Sequence, residues 1–379
     1  MKFAHLADLH IGKIVNGFSM IEDQIYILNE ILKIIDEEEP DGVLIAGDVY
    51  DKSAPSAAAV SVFDDFLSAL AQRELIVCII SGNHDSARRL SFGSRIMENS
   101  GIYLAPEYHG EAMSVSLQDE YGPLHVAMLP YLKAKEVRPF FPGKAIENCQ
   151  DAVRCAIDAM HINPSERNIL LAHQFVTGAQ VFQSEELSVG GLDNVDASVF
   201  ADFDYTALGH IHGPQNIGGE RVRYAGTPLK YSFSECTHKK SVTFVQLRKK
   251  GDLRVYTREL VPLHDMAEIR GTYAEVTLRN FYQTAMLKEQ YLHITLTDEE
   301  DVPEALGRLR AIYHNLMKLD YDNTRTRTAV QIDKGAASEN ISPLDIFSEL
   351  YQLQNNAPLS VEQQVLLKAL IEKIWEEEV

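Results

Sequence analysis

A chain of 379 residues has the length for two or three domains, and a composition of 45% hydrophobic and 24% charged residues excludes a mainly disordered polymer. Its four cysteines, Cys78, Cys149, Cys155 and Cys236, form no CxxC pair, which argues against a disulfide framework and a cysteine zinc site and fits a reducing compartment. The formal net charge of −20 repels nucleic acid at long range, so a phosphate-polymer substrate would need a basic patch, bound cations or a partner for its grip.

No basic, apolar leader opens the chain, and no run of about 18 apolar residues occurs, so a cytoplasmic protein with no membrane partner is expected. Short apolar runs predict strands at 2–7, 42–47, 75–81, 124–130, 168–173, 204–209, 222–226 and 241–247. Helical spacing predicts helices over 21–37, 55–72 and 147–161, the second with a stripe of Val60, Phe63, Leu67 and Leu70. The alternation suggests sheets with helices outside.

Beyond 263–271 the pattern changes. "YAEVTL" (273–278) and "YLHITL" (291–296) alternate with period two, 303–317 reads as a helix, and "TRTAVQI" (326–332) is a further strand candidate. Together they predict a small α+β module. "DKGAASEN" reads as a linker before two closing helices, the first capped by Ser342-Pro343 and Asp345, the second by the box of Ser360 and Gln363.

Five of the predicted strands are followed by metal-binding residue types. They are Asp8 and His10 in "ADLHIG", Asp48 and Asp51 in "AGDVYD", Asn83, His84 and Asp85 in "SGNHDS", His173 in "LLAHQF", and His210 and His212 in "LGHIHG". In sheets flanked by helices, sites form where strands end and loops begin. The donors are nitrogen and oxygen with no thiolate, which suits manganese, iron or zinc in an open catalytic site. They are too many for one ion and enough for two that share an aspartate.

The order DxH, GDxxD, GNHD, H, GHxH resembles that of the calcineurin-like, dinuclear metallophosphoesterases. The resemblance implies an α/β fold, a two-sheet sandwich flanked by helices. It also implies that Asp8, His10 and His212 hold one ion, that Asn83, His173 and His210 hold the second, and that Asp48 bridges them. His84 would face the leaving oxygen as general acid or transition-state stabiliser, with the Asp51 carboxylate hydrogen-bonded to it so that it can carry a proton near neutral pH. Asp85 reads equally as a residue that orients the loop and as a plain turn carboxylate.

"KFAHLADLHIG", "GDVYDKSAPS", "IISGNHDSARRLSFGS", "ALGHIHGPQ" and "YAGTPLKYSFSE" are further similar to the SbcD nuclease subunits of bacterial SbcCD complexes, over the whole chain. This implies a nuclease domain over 1–268, an accessory α+β domain that seats DNA over 269–337, and C-terminal helices over 338–379 that bind the SbcC ATPase. It implies two Mn2+ ions, with Mg2+, Fe2+ or Zn2+ as alternatives, and exonuclease and endonuclease action on double-strand ends, hairpins and single strands of DNA. It also implies a homodimer through the stripe of residues 60–70 and the segment with Leu90, Ile96 and Met97. Lys13, Arg88, Arg89, Lys230, Arg325 and Arg327 are candidate phosphate contacts. A small-molecule phosphodiesterase of the same superfamily is the alternative. No GxxxxGK[ST] occurs, so ATP dependence would come from another chain.

Overall fold

The computed structural model describes residues 1–181, 194–284, 287–324, 326, 344, 347, 348, 351 and 359–377. In its first half, strands β1 (Lys2–Leu6), β2 (Gly42–Ala46), β3 (Ile76–Ile80) and β4 (Ile102–Ala105) alternate with helices α1 (Ile21–Glu38) and α2 (Ala57–Ala71). Glu22 and Asp23 sit in the first turn of α1, where acids complement the macrodipole, and Pro40 follows the left-handed Glu39 that stops it. The Ser56 hydroxyl caps α2 by accepting from the Ala59 amide at 3.2 Å.

A hairpin of β5 (Met113–Asp119) and β6 (Gly122–Leu129) follows. Next comes α3 (Cys149–Asp158), capped by the Asn148 side chain on the Asp151 amide at 2.9 Å. The strands then continue with β7 (Arg167–His173), β8 (Tyr205–Gly209), β9 (Gln215–Asn216), β10 (Val222–Tyr224), β11 (Ser241–Leu247) and β12 (Leu253–Glu259).

These twelve strands form two sheets, in the orders β12-β11-β1-β2-β3-β4 and β9-β10-β8-β7-β6-β5. Strands β1 to β4 run parallel, as do β6, β7, β8 and β10. Period two sends alternate residues into different cores. Phe3, Leu44 and Ile80 meet Met128, Leu171 and Ala207 between the sheets, while Ala4, Ile45 and Ile79 pack under α1 and α2. Leu170, Ala172 and Leu208 pack under α3. Both faces of each sheet are therefore covered, which is why these strands read as nearly continuous apolar runs. Between the sheets the His5 ring bonds to the Tyr205 hydroxyl at 2.9 Å, joining β1 to β8.

The apolar face of α2 differs from expectation. Phe63, Leu67 and Leu70 are buried with Val62 and Phe66, whereas Val60 is 46% exposed. The stripe is one of core packing, centred a residue away from Val60. Leu90 is buried as well, which leaves Ile96 exposed on the following segment.

A three-stranded sheet, β13 (Met266–Gly271), β14 (Tyr291–Leu296) and β15 (Leu316–Tyr321), stands in that order after the sandwich. "YAEVTL" is not a strand: Tyr273–Val276 is a helical turn, α4, set by a capping box in which Thr272 and Glu275 bond reciprocally. The helix expected over 303–317 is shorter, α5 (Ala305–Arg310), and Leu316 already belongs to β15. Leu309, Tyr313 and Leu316 are all fully buried, so the helical spacing reflected one shared core on both sides of a turn.

By compactness the chain divides into Met1–Thr295 with Pro303–Asp320, and Leu296–Val302 with Tyr321–Val379. In the second unit the Asn323 side chain donates to the Asp298 carbonyl at 3.2 Å. Its last helix, α6 (Val361–Glu377), opens on the expected box, with Ser360 and Gln363 exchanging bonds of 2.8 and 3.2 Å. The strand candidate 326–332 (apart from Thr326), the linker and the Ser342-Pro343 cap lie outside the described residues.

Candidate active site

The carboxyl ends of β1, β2 and β3 lie side by side, and those of β7 and β8 meet them from the second sheet. Beyond β1 the chain turns so that the Asp8 amide donates to the Gly47 carbonyl at 3.1 Å and the His10 amide to the Asp48 carbonyl at 2.9 Å. Asp8 (φ 51°), His10 (45°), Asp48 (47°) and His210 (105°) all hold left-handed backbone conformations. Residues other than glycine rarely adopt that region, and each one there costs about 1–3 kcal/mol.

The two sheets are joined at this edge by the site residues themselves. The Asp8 carboxylate accepts from the His210 amide at 2.9 and 3.1 Å. His173 Nδ1 donates to the Ala46 carbonyl at 2.8 Å, so its Nε2 points inward. Gly209 and Gly82 permit the approach: a Cβ on the first would overlap the Ala46 carbonyl, and on the second the Asp48 carboxylate.

Around one point the donors converge. Asp48 Oδ2 lies 3.4 Å from His173 Nε2, 3.7 Å from His10 Nε2 and 4.0 Å from His84 Nε2. On one side His10 Nε2 and His212 Nε2 face each other at 3.2 Å. On the other, His173 Nε2 and His210 Nδ1 lie 3.0 and 2.9 Å from Asn83 Oδ1. Asp8, His10, Asp48, His173, His210 and His212 are buried, while Asn83 and His84 sit at the open side.

The electrostatics suit cations. Burial holds the imidazoles of His10, His210 and His212 below their usual range, His210 at about 3, so these rings present lone pairs. Burial alone would raise Asp48, but His173, His10 and His84 hold it well below the usual carboxylate range. At His173 burial disfavours charge, yet Asp48, Asp8 and the Ala46 carbonyl outweigh it and lift the ring to about 9. A proton thus sits where buried carboxylates call for positive charge. Neutral rings, a shared ionised carboxylate and an amide oxygen make a donor set for two divalent ions.

One expected role is revised, and Asp85, whose role the sequence left open, gains one. The Asp51 carboxylate does not reach His84: it is bound by the Lys13 ammonium at 2.6 Å and lies 3.6 Å from His10 Nδ1. The backbone carbonyl of Asp51 meets His84 Nδ1 at 3.1 Å instead, because the turn carries the peptide, and not the side chain, toward the ring. Asp85 orients the loops: its carboxylate accepts from the amides of Val49, Tyr50 and Gly82 at 3.1, 3.0 and 3.0 Å. Burial and then the Asp48 charge push it up to about 6.

Among the candidate phosphate contacts, Lys13 is committed to Asp51, Lys230 donates to the Cys236 carbonyl and to Asp265, both at 2.7 Å, and Arg89 donates to the Ser53 carbonyl at 2.7 Å. Arg88 is exposed. Arg325 and Arg327 lie outside the described residues.

Sequence reasoning missed the support behind His212. Glu235 is fully buried with Oε1 3.5 Å from His212 Nδ1, and Lys240 both pairs with Glu235 and donates to the His212 carbonyl at 2.9 Å. A carboxylate behind a ligating ring fixes its orientation and raises its basicity. Gln24 does related work for His10, donating to its carbonyl at 2.7 Å. Neither carries a local motif; only the fold brings them near.

The family model of calcineurin-like phosphoesterases matches residues 1–214, and that of the type 5 capsule protein repressor C-terminal domain matches residues 262–355. The chain is 30% identical over 385 residues to a Staphylococcus epidermidis protein named as the D subunit of nuclease SbcCD, covering all of both chains. It is 30% identical over 381 residues to a protein of the same name from Staphylococcus saprophyticus, covering all of this chain and 99% of that one. The chain therefore belongs to the calcineurin-like phosphoesterases and, within them, to the D subunits of SbcCD nucleases.

Proposed function

We infer that the chain is a metal-dependent nuclease that hydrolyses DNA phosphodiester bonds at this centre, as the partner of an SbcC ATPase. The observation that carries the reading is the position of Asp48 Oδ2, central to rings delivered by three different strand ends. Asp8, His10 and His212 would hold one cation, Asn83, His173 and His210 the other, with Asp48 shared. Manganese fits the nitrogen and oxygen donors, as do iron and zinc, and magnesium, which prefers oxygen ligands, fits less completely. Two bound cations supply an acidified water and a clamp on the oxygens of an in-line displacement.

The chain's own residues supply the rest. A carbonyl only accepts, so the bond to the Asp51 carbonyl places a proton on His84 Nδ1 and turns Nε2 toward the pocket. There Nε2 can carry the proton that the departing oxygen needs, from a ring 20% exposed at the open side of the site. Asp85 holds the loops of Asp48 and Asn83 in register by its three amide bonds.

Assembly follows the same reading. On this reading 269–337 seats DNA and 338–379 binds SbcC, while a single family model runs over 262–355, across both. On α6, Val361, Val365, Leu366 and Leu370 are exposed, apolar surface that suits a partner. Phe92 and Ile96 are 85% and 77% exposed, which suits a homodimer contact together with Val60. Among the described residues no helix is long and apolar enough to cross a membrane and all four cysteines are free thiols, in keeping with the cytoplasm.

The test is cleavage by the manganese-loaded chain, with and without SbcC and ATP, of linear, hairpin and single-stranded DNA beside cyclic nucleotides. Metal-dependent cutting of DNA ends and hairpins, stimulated by SbcC and ATP, is expected. Cyclic nucleotides hydrolysed much faster than DNA would overturn the reading in favour of a small-molecule phosphodiesterase.

A further inference from the structure

A cavity of about 410 Å³ opens directly beside the second cation site, with Asn83 and Asp85 in its wall. That volume is in the range of small-molecule sites. It is large enough for a nucleobase with part of its sugar. Three aromatic rings also line it: Tyr131, Tyr108 and Phe140. Tyr131 is the residue that links this cavity to the chemistry. Its ring lies nearly parallel to that of His210, at 23° and 6.1 Å between centroids, and edge-on to His173 at 6.0 Å. Its amide is fixed on the Ser81 carbonyl at 3.0 Å, so the platform cannot drift from the strand end that carries Asn83.

The charges decide what the cavity accepts. Lys133 and Lys135 line it, but so do Asp85, Glu107 and Glu136, so acids outnumber the lysines. A second phosphate would gain little there. The Lys133 ammonium lies over the Tyr131 ring at 5.6 Å, which marks an electron-rich face that a cation can reach. Lys133 is exposed, and Phe140, 41% exposed, stands edge-on to Tyr108 at 5.6 Å. An exposed ring at Phe140 and a half-buried one at Tyr131, in a pocket with no surplus of positive charge, favour a flat, uncharged heteroaromatic group.

We propose that this cavity seats, by stacking on Tyr131, the base of the nucleotide next to the scissile phosphate. The proposal rests on the nuclease reading and deepens it. Seating the base there draws the adjoining phosphate toward Asn83 and His210. Because every base has a π-face, the seat is tolerant of sequence but demands that a base be present and unpaired. Strand ends, hairpin loops, single strands and locally opened duplex meet that condition, whereas intact duplex does not.

The test uses the manganese-loaded full chain and single-stranded oligonucleotides with one abasic residue placed on either side of a cleavage position. For the natural chain, removing the base on one side lowers kcat/KM at the neighbouring bond by about 5- to 100-fold, the worth of a stacked base; removal on the other side costs much less. In Tyr131→Leu, assayed beside its metal content, the abasic penalty shrinks to less than about half of that fold-change, since the platform is gone. If Tyr131→Leu comes up short of metal, Phe140→Ala, on another wall of the cavity, is read in the same way. An abasic penalty of equal size in the natural chain and both variants, or no penalty on either side, would overturn the proposal. Failure to cut any oligonucleotide, abasic or intact, would instead sink the nuclease reading on which it rests.

Discussion

His84 and Asp51 separate cleanly once the hydrogen bond between them is seen to run through the peptide. His84→Gln removes the atom that carries the proton, and turnover should fall by about 10²–10⁴-fold. Metal content, measured on the same sample, should not change. Asp51→Asn keeps the carbonyl that holds His84 and loses the ion pair to Lys13 and the charge beside His10 Nδ1, so a loss of less than about tenfold is expected. Equal losses in the two variants would return the orienting role to the carboxylate.

Behind His212 the buried pair of Glu235 and Lys240 sets a stability prediction. Lys240→Met leaves Glu235 ionised and buried, and should cost about 3–5 kcal/mol in a denaturant titration. The ligand types were legible in the sequence because each pair sits in a short fixed spacing after an apolar run. Glu235 and Gln24 were not, because their roles depend on which carbonyls and rings the fold brings to them.

At the scale of elements, the site depends on how closely β8 can approach β2. Gly209→Ala places a methyl group on the Ala46 carbonyl, a backbone atom that cannot rotate away. Strain of about 1–3 kcal/mol is expected, with loss of bound metal as the end of β8 lifts His210 and His212 from their partners. A variant with full metal content and unchanged melting would contradict this account of the edge.

The eight inner strands of the sandwich were readable in sequence, since burial on both faces writes an unbroken apolar run, whereas the edge strands β4, β5, β9 and β12 were missed. The module after residue 263 was harder. In "YAEVTL" the alternation spans too few residues to outweigh the Thr272–Glu275 box just ahead of it, and the box wins. For 303–317 the helical spacing continued through a turn, because Tyr313 and Leu316 share a core with Leu309.

For the whole molecule, the proton on His173 couples stability to pH. Its pKa of about 9 in the folded chain stands above the ordinary 6.5, so the charged ring stabilises the metal-free protein fully below pH 6.5, and that contribution is lost as pH rises through 9. A cation held by His173 must displace that proton, so affinity at the second site should rise with pH up to about 9. Melting temperatures with chelator and with manganese should therefore diverge between pH 6.5 and about 9. A gap that narrows over this interval would contradict the assignment of His173 as a ligand.

The left-handed backbone at Asp8, His10, Asp48 and His210 has one further consequence. Glycine would sit at these four positions with less strain than the residues found there. Laboratory evolution that rewards heat resistance without also screening for cleavage would thus drift toward a sturdier, inert protein, and these positions would be among the first to change.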